Sequence, residues 1–198
     1  DTPGLHIEPL INLVGGSGIG KTTFDNVRVP KKNIVGEVNR GWYVAMAVMN
    51  LERSGVQWPA AARRDIDELI GWAKTHERNG RRVIDDPVTK HKIAQAKIEV
   101  EVGLLMAYRI ASLMDVGYVP DMEASMTKTF GSELGQRVAR LCTEVLGPVS
   151  MLTPESPRKE LGGRHGVDYV RNTVDTVMLG SSEIMRNIVA QRGLGLPR

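Results

Sequence analysis

The sequence has a single cysteine, two phenylalanines and no long apolar run in its 198 residues. One Cys excludes an internal disulfide and fits a reducing, cytoplasmic setting. Cys142 lies in an apolar helical stretch, which marks it as a buried, inert thiol. Two Phe argue against a platform on which nucleic-acid bases stack. No apolar segment approaches the roughly 20 residues of a membrane-spanning helix. Charge of one sign is not concentrated either. The 26 Lys and Arg stand against 23 Asp and Glu, a net charge of +3, in scattered pairs such as "KK" and "RR". That pattern is a solvated surface rather than a nucleic-acid footprint. His6, His76, His91 and His165 lie far apart, without the helical spacing to carboxylates that a metal site needs. Each reads as a satisfied or exposed side chain. There is no internal repeat and no low-complexity tract.

What is present is the balance of a packed globular chain, 41% apolar and 25% charged. Residues 1–41 differ from the rest. "LHIEPLINLV" and "TTFDNVRVP" are short, rich in β-branched residues and flank a glycine-rich turn, which predicts a hairpin. From Trp42 the pattern becomes helical. "WYVAMAVMNLER" is a first helix, and Pro59 predicts a break near Ser54 to Trp58 before the next. "NGRRVIDD" reads as a loop. Asp86 caps a long helix with Pro87 at its first position. Apolar residues at Ile93, Ala96, Val100, Leu104, Ala107 and Ala111 mark its buried face. A further helix carries Met122, Met126, Phe130, Leu134, Val138, Leu141 and Val145 on one stripe, read as core, and ends at Gly147-Pro148. The last helix, "SSEIMRNIVAQRGLG", is capped by Ser181 or Ser182. Long helices joined by short connections predict a mainly α fold, an antiparallel four-helix-type bundle with a short N-terminal β-hairpin.

Two stretches raise chemical questions. "GGSGIGKT", from Gly15 to Thr22, fits the phosphate loop of nucleotide hydrolases, G-x-x-x-x-G-K-[ST]. Such a loop works only if a helix begins at the lysine, whose N-terminus then wraps phosphate. The residues after Lys21 favour a strand: Thr and Val disfavour helix, Asp25-Asn26 suggests a turn, and Pro30 ends any helix. The glycines therefore read as a β-turn, with nucleotide hydrolysis as the rival. Glu52 is the second question. In "AMAVMNLERSG" it is either paired with Arg53 on the surface or desolvated in a site. Desolvation would raise its pKa toward that of a general base. Composition alone favours the surface pair.

Several segments resemble one family in order and spacing. "FDNVRVPKKNIVGEVNRGW", "LERSG", "HERNG", "EVLGP" and "GSSEIMRNIVAQRGLGLPR" are similar to the C-terminal half of acyl-CoA dehydrogenases. The resemblance implies that residues 1–41 are a remnant of the middle β domain and its linker, and that 42–198 are the C-terminal helical domain. It makes this chain, which opens on Asp1, part of a longer enzyme. It implies FAD as cofactor, an acyl-CoA thioester as substrate, an electron-transfer flavoprotein as partner and a tetrameric assembly, homo- or heteromeric. In this chemistry a carboxylate takes the α-proton while the flavin takes the β-hydride.

The implied site residues follow position by position. Where many members carry the base just before the last helix, this chain has Leu179, which takes no proton. In the isovaleryl and long-chain types the base lies in "LER", here Glu52, so the resemblance favours Glu52 as the base and Arg53 as a substrate contact. Arg78 matches the arginine of an "E-R-x-x-F-G" stretch that meets the FAD pyrophosphate, although Arg81-Arg82 replace Phe-Gly. In a second FAD contact, "Q-x-x-G-G", Glu144 replaces Gln and Gly147 is followed by Pro148. Gly180, Ser181 and Glu183 occupy the last set of flavin contacts. These departures keep open a non-catalytic or half-site partner subunit of an unequal pair.

Overall fold

The computed structural model describes residues 2–52 and 55–197. The chain divides into two compact units, Asp1–Val48 and Met49–Arg198.

In the first unit, β1 (Leu5–Leu10) pairs antiparallel with β2 (Ile19–Phe24), in a register that sets Glu8 opposite Lys21 and Leu10 opposite Ile19. Asn12 organises the turn: its side-chain oxygen accepts from the N–H groups of Val14 and Gly16. Lys21 therefore sits within a strand, with its ammonium 3.4 Å from the Glu8 carboxylate, and no helix begins there. The phosphate-loop reading loses the element it requires. The second strand is shorter than the sequence suggests. It stops at Phe24, where Asp25 and Asn26 (φ 49°) bend the chain. Helix α1 (Gly41–Glu52) begins in this unit and presents Trp42, Tyr43 and Val48 to solvent.

The second unit is a helical bundle. Helix α2 (Gln57–Thr75) starts after the expected break, with Gly55 at φ 74° and Pro59 in the first turn, where its missing N–H leaves no bond unmade. Helix α3 (Pro87–Asp115) is capped as the sequence predicts: the Asp86 carboxylate accepts from Thr89 N–H at 2.7 Å. Helix α4 (Asp121–Leu146) runs back, and Gly147 ends it at φ 69°. These three helices enclose one core, built from Ile66, Leu69 and Trp72 of α2, Ile93, Val100 and Leu104 of α3, and Leu134, Val138, Leu141 and Val145 of α4. Gly103 sets the closest approach, because a Cβ there would lie 2.9 Å from that of Pro59. Two short helices, α5 (His165–Arg171) and α6 (Ser182–Ile188), pack on α4, and a π-helical turn, Val189–Gly193, follows.

Three expectations are corrected. Ile110, not Ala111, closes the buried face of α3; Ala111 is exposed. The methionine stripe of α4 becomes core only from Leu134 onward. Met126 is 42% exposed and, with Met106, Phe130, Val189 and Leu194, lines an apolar groove of about 430 Å³. "NGRRVIDD" is not all loop: β3 (Glu77–Arg78) pairs with β4 (Arg81–Arg82) across Asn79 (φ 54°) and Gly80 (φ 72°). Asn-Gly with two left-handed residues is the favoured tight hairpin turn, and that dipeptide was the signal for it.

Candidate functional site

The β3–β4 hairpin places Arg78 against the end of α4. Its Nη2 donates to the carbonyls of Val145, at 2.8 Å, and Leu146, at 3.4 Å. Those carbonyls belong to the last turn of the helix, and a cation there suits the helix dipole. Gly147 lies beside the same guanidinium: a Cβ at Gly147 would stand 3.5 Å from Nη2. Two of the sequence-assigned residues, Arg78 and Gly147, are thus brought together. The hairpin opens a cleft of about 650 Å³, lined by Arg78, Arg81, Arg82, Val83, Asp86 and Thr89 among others. Arg82 is held bidentately by Asp85, with Nε at 2.7 Å and Nη2 at 3.2 Å, and this bond keeps the Asp85 carboxyl below its ordinary range. Asp86 is similarly lowered, first by the backbone bond from Thr89 that caps α3.

Glu144 does not join that cleft. Its carboxylate is taken by Lys92 of α3 at 2.7 Å and Arg140 at 3.0 Å, and these bonds, Lys92 first, hold its pKa down.

Gly180, Ser181 and Glu183 gather at the start of α6. The chain enters through two left-handed residues, Leu179 (φ 57°) and Gly180 (φ 100°). Ser181 is the N-cap: its hydroxyl accepts from Ile184 N–H at 3.4 Å. The Glu183 carboxyl is lowered by its own backbone N–H and by the Ser181 side chain.

Glu52 is the last residue of α1, and it is exposed. The desolvation expected from its apolar sequence neighbours is not met among the described residues. Arg53 lies outside the described residues.

One polar cluster was not read from the sequence. "GRHG" has a structural role: Arg164 donates to Asp65 at 2.6 Å, lies 2.9 Å from Glu68, and faces Asp168 from Nε at 3.7 Å. Asp65 is buried and also accepts from Arg64. Desolvation raises the Asp168 carboxyl, and the Asp65 charge adds to it. Next to Arg164, His165 is 2% exposed, and neither ring nitrogen has a hydrogen-bond partner among the described residues. Burial pushes its pKa down. The expectation that each histidine is satisfied or exposed therefore fails at His165, although it holds at His76, which stacks on Trp72 and lies 3.6 Å from Glu160. Cys142 is fully buried, and burial raises its thiol to about 12, as an inert core cysteine requires. Among the described residues, no helix is long and apolar enough to cross a membrane.

Against known proteins, the family model "Acyl-CoA dehydrogenase, C-terminal domain" matches residues 39–194. The chain belongs to the acyl-CoA dehydrogenase family. Its relatives include the mitochondrial short/branched chain specific acyl-CoA dehydrogenase of Bos taurus, 33% identical over 96% of this chain and 43% of that protein. Acyl-CoA dehydrogenase FadE26 of Mycobacterium tuberculosis is 33% identical over 95% of this chain and 48% of its own length. Among solved structures, the ChsE4-ChsE5 complex from Mycobacterium tuberculosis matches at a TM-score of 0.89 and 31% identity, covering 100% of this chain and 50% of that one. The acyl-CoA dehydrogenase chain thus spans about half the length of the curated relatives it matches. The resemblance drawn from "LERSG", "EVLGP" and the closing helix and the mainly helical architecture both stand.

Proposed function

We propose that this chain is the C-terminal half of an enzyme that removes hydrogen from the α and β carbons of an acyl-CoA thioester, with FAD as electron acceptor. The observation that carries the proposal is the pairing of Arg78 with Gly147 at the mouth of an arginine-lined cleft, on a domain whose family is acyl-CoA dehydrogenase. A guanidinium has five donors, and only Nη2 of Arg78 is bonded to helix carbonyls, so the side chain retains donors suited to a diphosphate. Arg81 adds positive charge where the family pattern has Phe. Gly180, Ser181 and Glu183 supply the remaining cofactor contacts. When bound, FAD supplies the hydride acceptor.

In this reading Glu52 takes the α-proton. An exposed carboxylate is a poor base for so weak an acid, so the task needs cover. Docking of the acyl chain over α1 would remove water from Glu52 and raise its basicity. Arg53 follows it in sequence and is assigned to the substrate side. Removal of the α-proton by Glu52 frees the α C–H electron pair for the new π bond, and bound FAD would supply the acceptor for the β-hydride. The electrons then pass to an electron-transfer flavoprotein. A relative named "Caffeyl-CoA reductase-Etf complex subunit CarC", 33% identical over 67% of this chain, supports that partner class.

A second reading is an unequal pair, in which this subunit keeps the base and its partner completes the flavin site. It is favoured by Glu144 standing where Gln is expected and being tied to Lys92 and Arg140. The ChsE4-ChsE5 complex, 31% identical to this chain, joins two named proteins. The test is product analysis. The full-length protein, supplied with FAD, an acyl-CoA and an electron-accepting dye, should yield an enoyl-CoA two hydrogens lighter. No product from the protein alone, with product after adding a second subunit, supports the pair. No product in either case overturns both readings.

A further inference from the structure

Lys128, on α4, is completely buried, and it heads the fully buried side chains in volume. A buried ammonium is costly, and a methionine would fill much the same space without that cost. What lysine adds is directional: Nζ donates to the backbone carbonyl of Asp175 at 2.9 Å. Two turns further along α4, Gln136 Nε2 donates to the Asn172 carbonyl at 3.3 Å and the Thr176 hydroxyl at 3.2 Å. Asn172 returns a bond to the Gly135 carbonyl at 3.1 Å. Residues 172–176 are thereby stitched to α4.

That anchored segment leads straight into Leu179 (φ 57°) and Gly180 (φ 100°). A left-handed leucine is strained and persists only where its surroundings hold the chain on both sides. Downstream, α6 is fixed to α4 by the fully buried Met185 and by the 2.5 Å pair of Arg186 with Glu133. Upstream, the hold comes from Lys128 and Gln136.

We infer that Lys128 is a positioning residue: it holds the Leu179–Gly180 turn in its left-handed form and so sets where Gly180 and Ser181 stand. The consequence for cofactor binding rests on the flavin reading of those two residues; the mechanical part does not. The experiment uses the full-length protein with Lys128→Met and, separately, Gln136→Leu, whose side chain is half-buried and less exposed to folding failure. Amide hydrogen exchange is read by mass spectrometry, and FAD affinity by flavin fluorescence. Lys128→Met should speed exchange across residues 177–184 by about tenfold, leave α2 and the rest of α4 unchanged, and weaken FAD binding by about tenfold. Gln136→Leu should give a smaller change in the same segment, and it carries both readouts if Lys128→Met does not accumulate. A lysine that serves stability alone would speed exchange throughout the bundle. Unchanged exchange at 177–184 overturns the inference; faster exchange there with FAD affinity intact upholds the hold on the turn and overturns its consequence for the cofactor. A wild-type protein that takes up no FAD overturns the cofactor reading instead, and the exchange pattern still decides whether Lys128 holds the turn.

Discussion

Arg78 bonds the carbonyl of Val145 at 2.8 Å, so that the Glu77–Arg82 hairpin closes the end of the 26-residue helix α4. The same guanidinium lies beside Gly147 and faces the arginine-lined cleft. One side chain therefore serves both the fold and the proposed phosphate contact, and its two roles are separable. Arg78→Met leaves two carbonyls at the helix end without their donor and should cost about 1.5–3 kcal/mol, read as a lower urea midpoint. Arg78→Lys keeps the charge but loses the planar fork, and should restore part of the stability while FAD affinity stays reduced. Equal FAD affinity in wild type and Arg78→Met would remove Arg78 from the cofactor site.

Arg164 holds a buried carboxylate. Arg164→Ala leaves Asp65 with Arg64 alone, and should destabilise the protein by about 3 kcal/mol. Replacing Asp65 by Asn in the same chain should recover much of the loss, because the uncompensated charge is gone. A double variant no more stable than Arg164→Ala would show that packing, not charge, sets the effect.

His165 gives the cluster a pH signature. Burial, then the Arg164 charge, lowers its folded pKa; Asp65 opposes and Arg64 adds to the lowering. The unfolded chain takes up the proton near pH 6.5, whereas the folded chain resists it, so stability falls as pH drops below that value. One such group contributes up to about 1.4 kcal/mol per pH unit within its window. Asp168 works in the other direction, since its raised pKa means that acidification relieves a buried charge. His165→Leu should match or exceed wild-type stability at pH 7.5, having removed two unpaired nitrogens, and should lose less stability between pH 6.5 and 5.5. Urea midpoints at the three pH values measure this. Parallel slopes for the two proteins would contradict it.

Much of the fold was legible because its signals are local. The Asp86-Pro87 start of α3, the break before Pro59 and the glycine that ends α4 are each written in two or three residues. The strand through Lys21 was legible for the same reason, from Thr, Val and the Asp25-Asn26 bend. What periodicity missed depended on partners distant in sequence. Met126 and Leu134 share one stripe, yet only Leu134 belongs to the core shared with α2 and α3, while Met126 borders an apolar groove. Arg164 reaches Asp65 across 99 residues, and Lys128 reaches Asp175 across 47, spacings that no motif encodes. The candidate site was assigned through motif order rather than chemistry. Nothing local distinguishes Arg78 from its neighbours, but the Asn79-Gly80 turn that aims the hairpin was visible and unread.

Glu52 carries the proposed proton transfer. Glu52→Gln preserves size and polarity but cannot act as a base, so turnover should fall by about 10²–10⁴-fold, with FAD content and acyl-CoA affinity close to wild type. Turnover within a few-fold of wild type would move the base to another residue.

The most direct measurement is the visible absorption of the full-length protein, loaded with FAD and titrated with acyl-CoA thioesters in the absence of oxygen. The account predicts an oxidised flavin spectrum that bleaches on addition of substrate, in proportion to enoyl-CoA formed, and a flavin that stays oxidised in Glu52→Gln. A protein that remains colourless after FAD is supplied, or whose flavin is indifferent to every acyl-CoA, would contradict it.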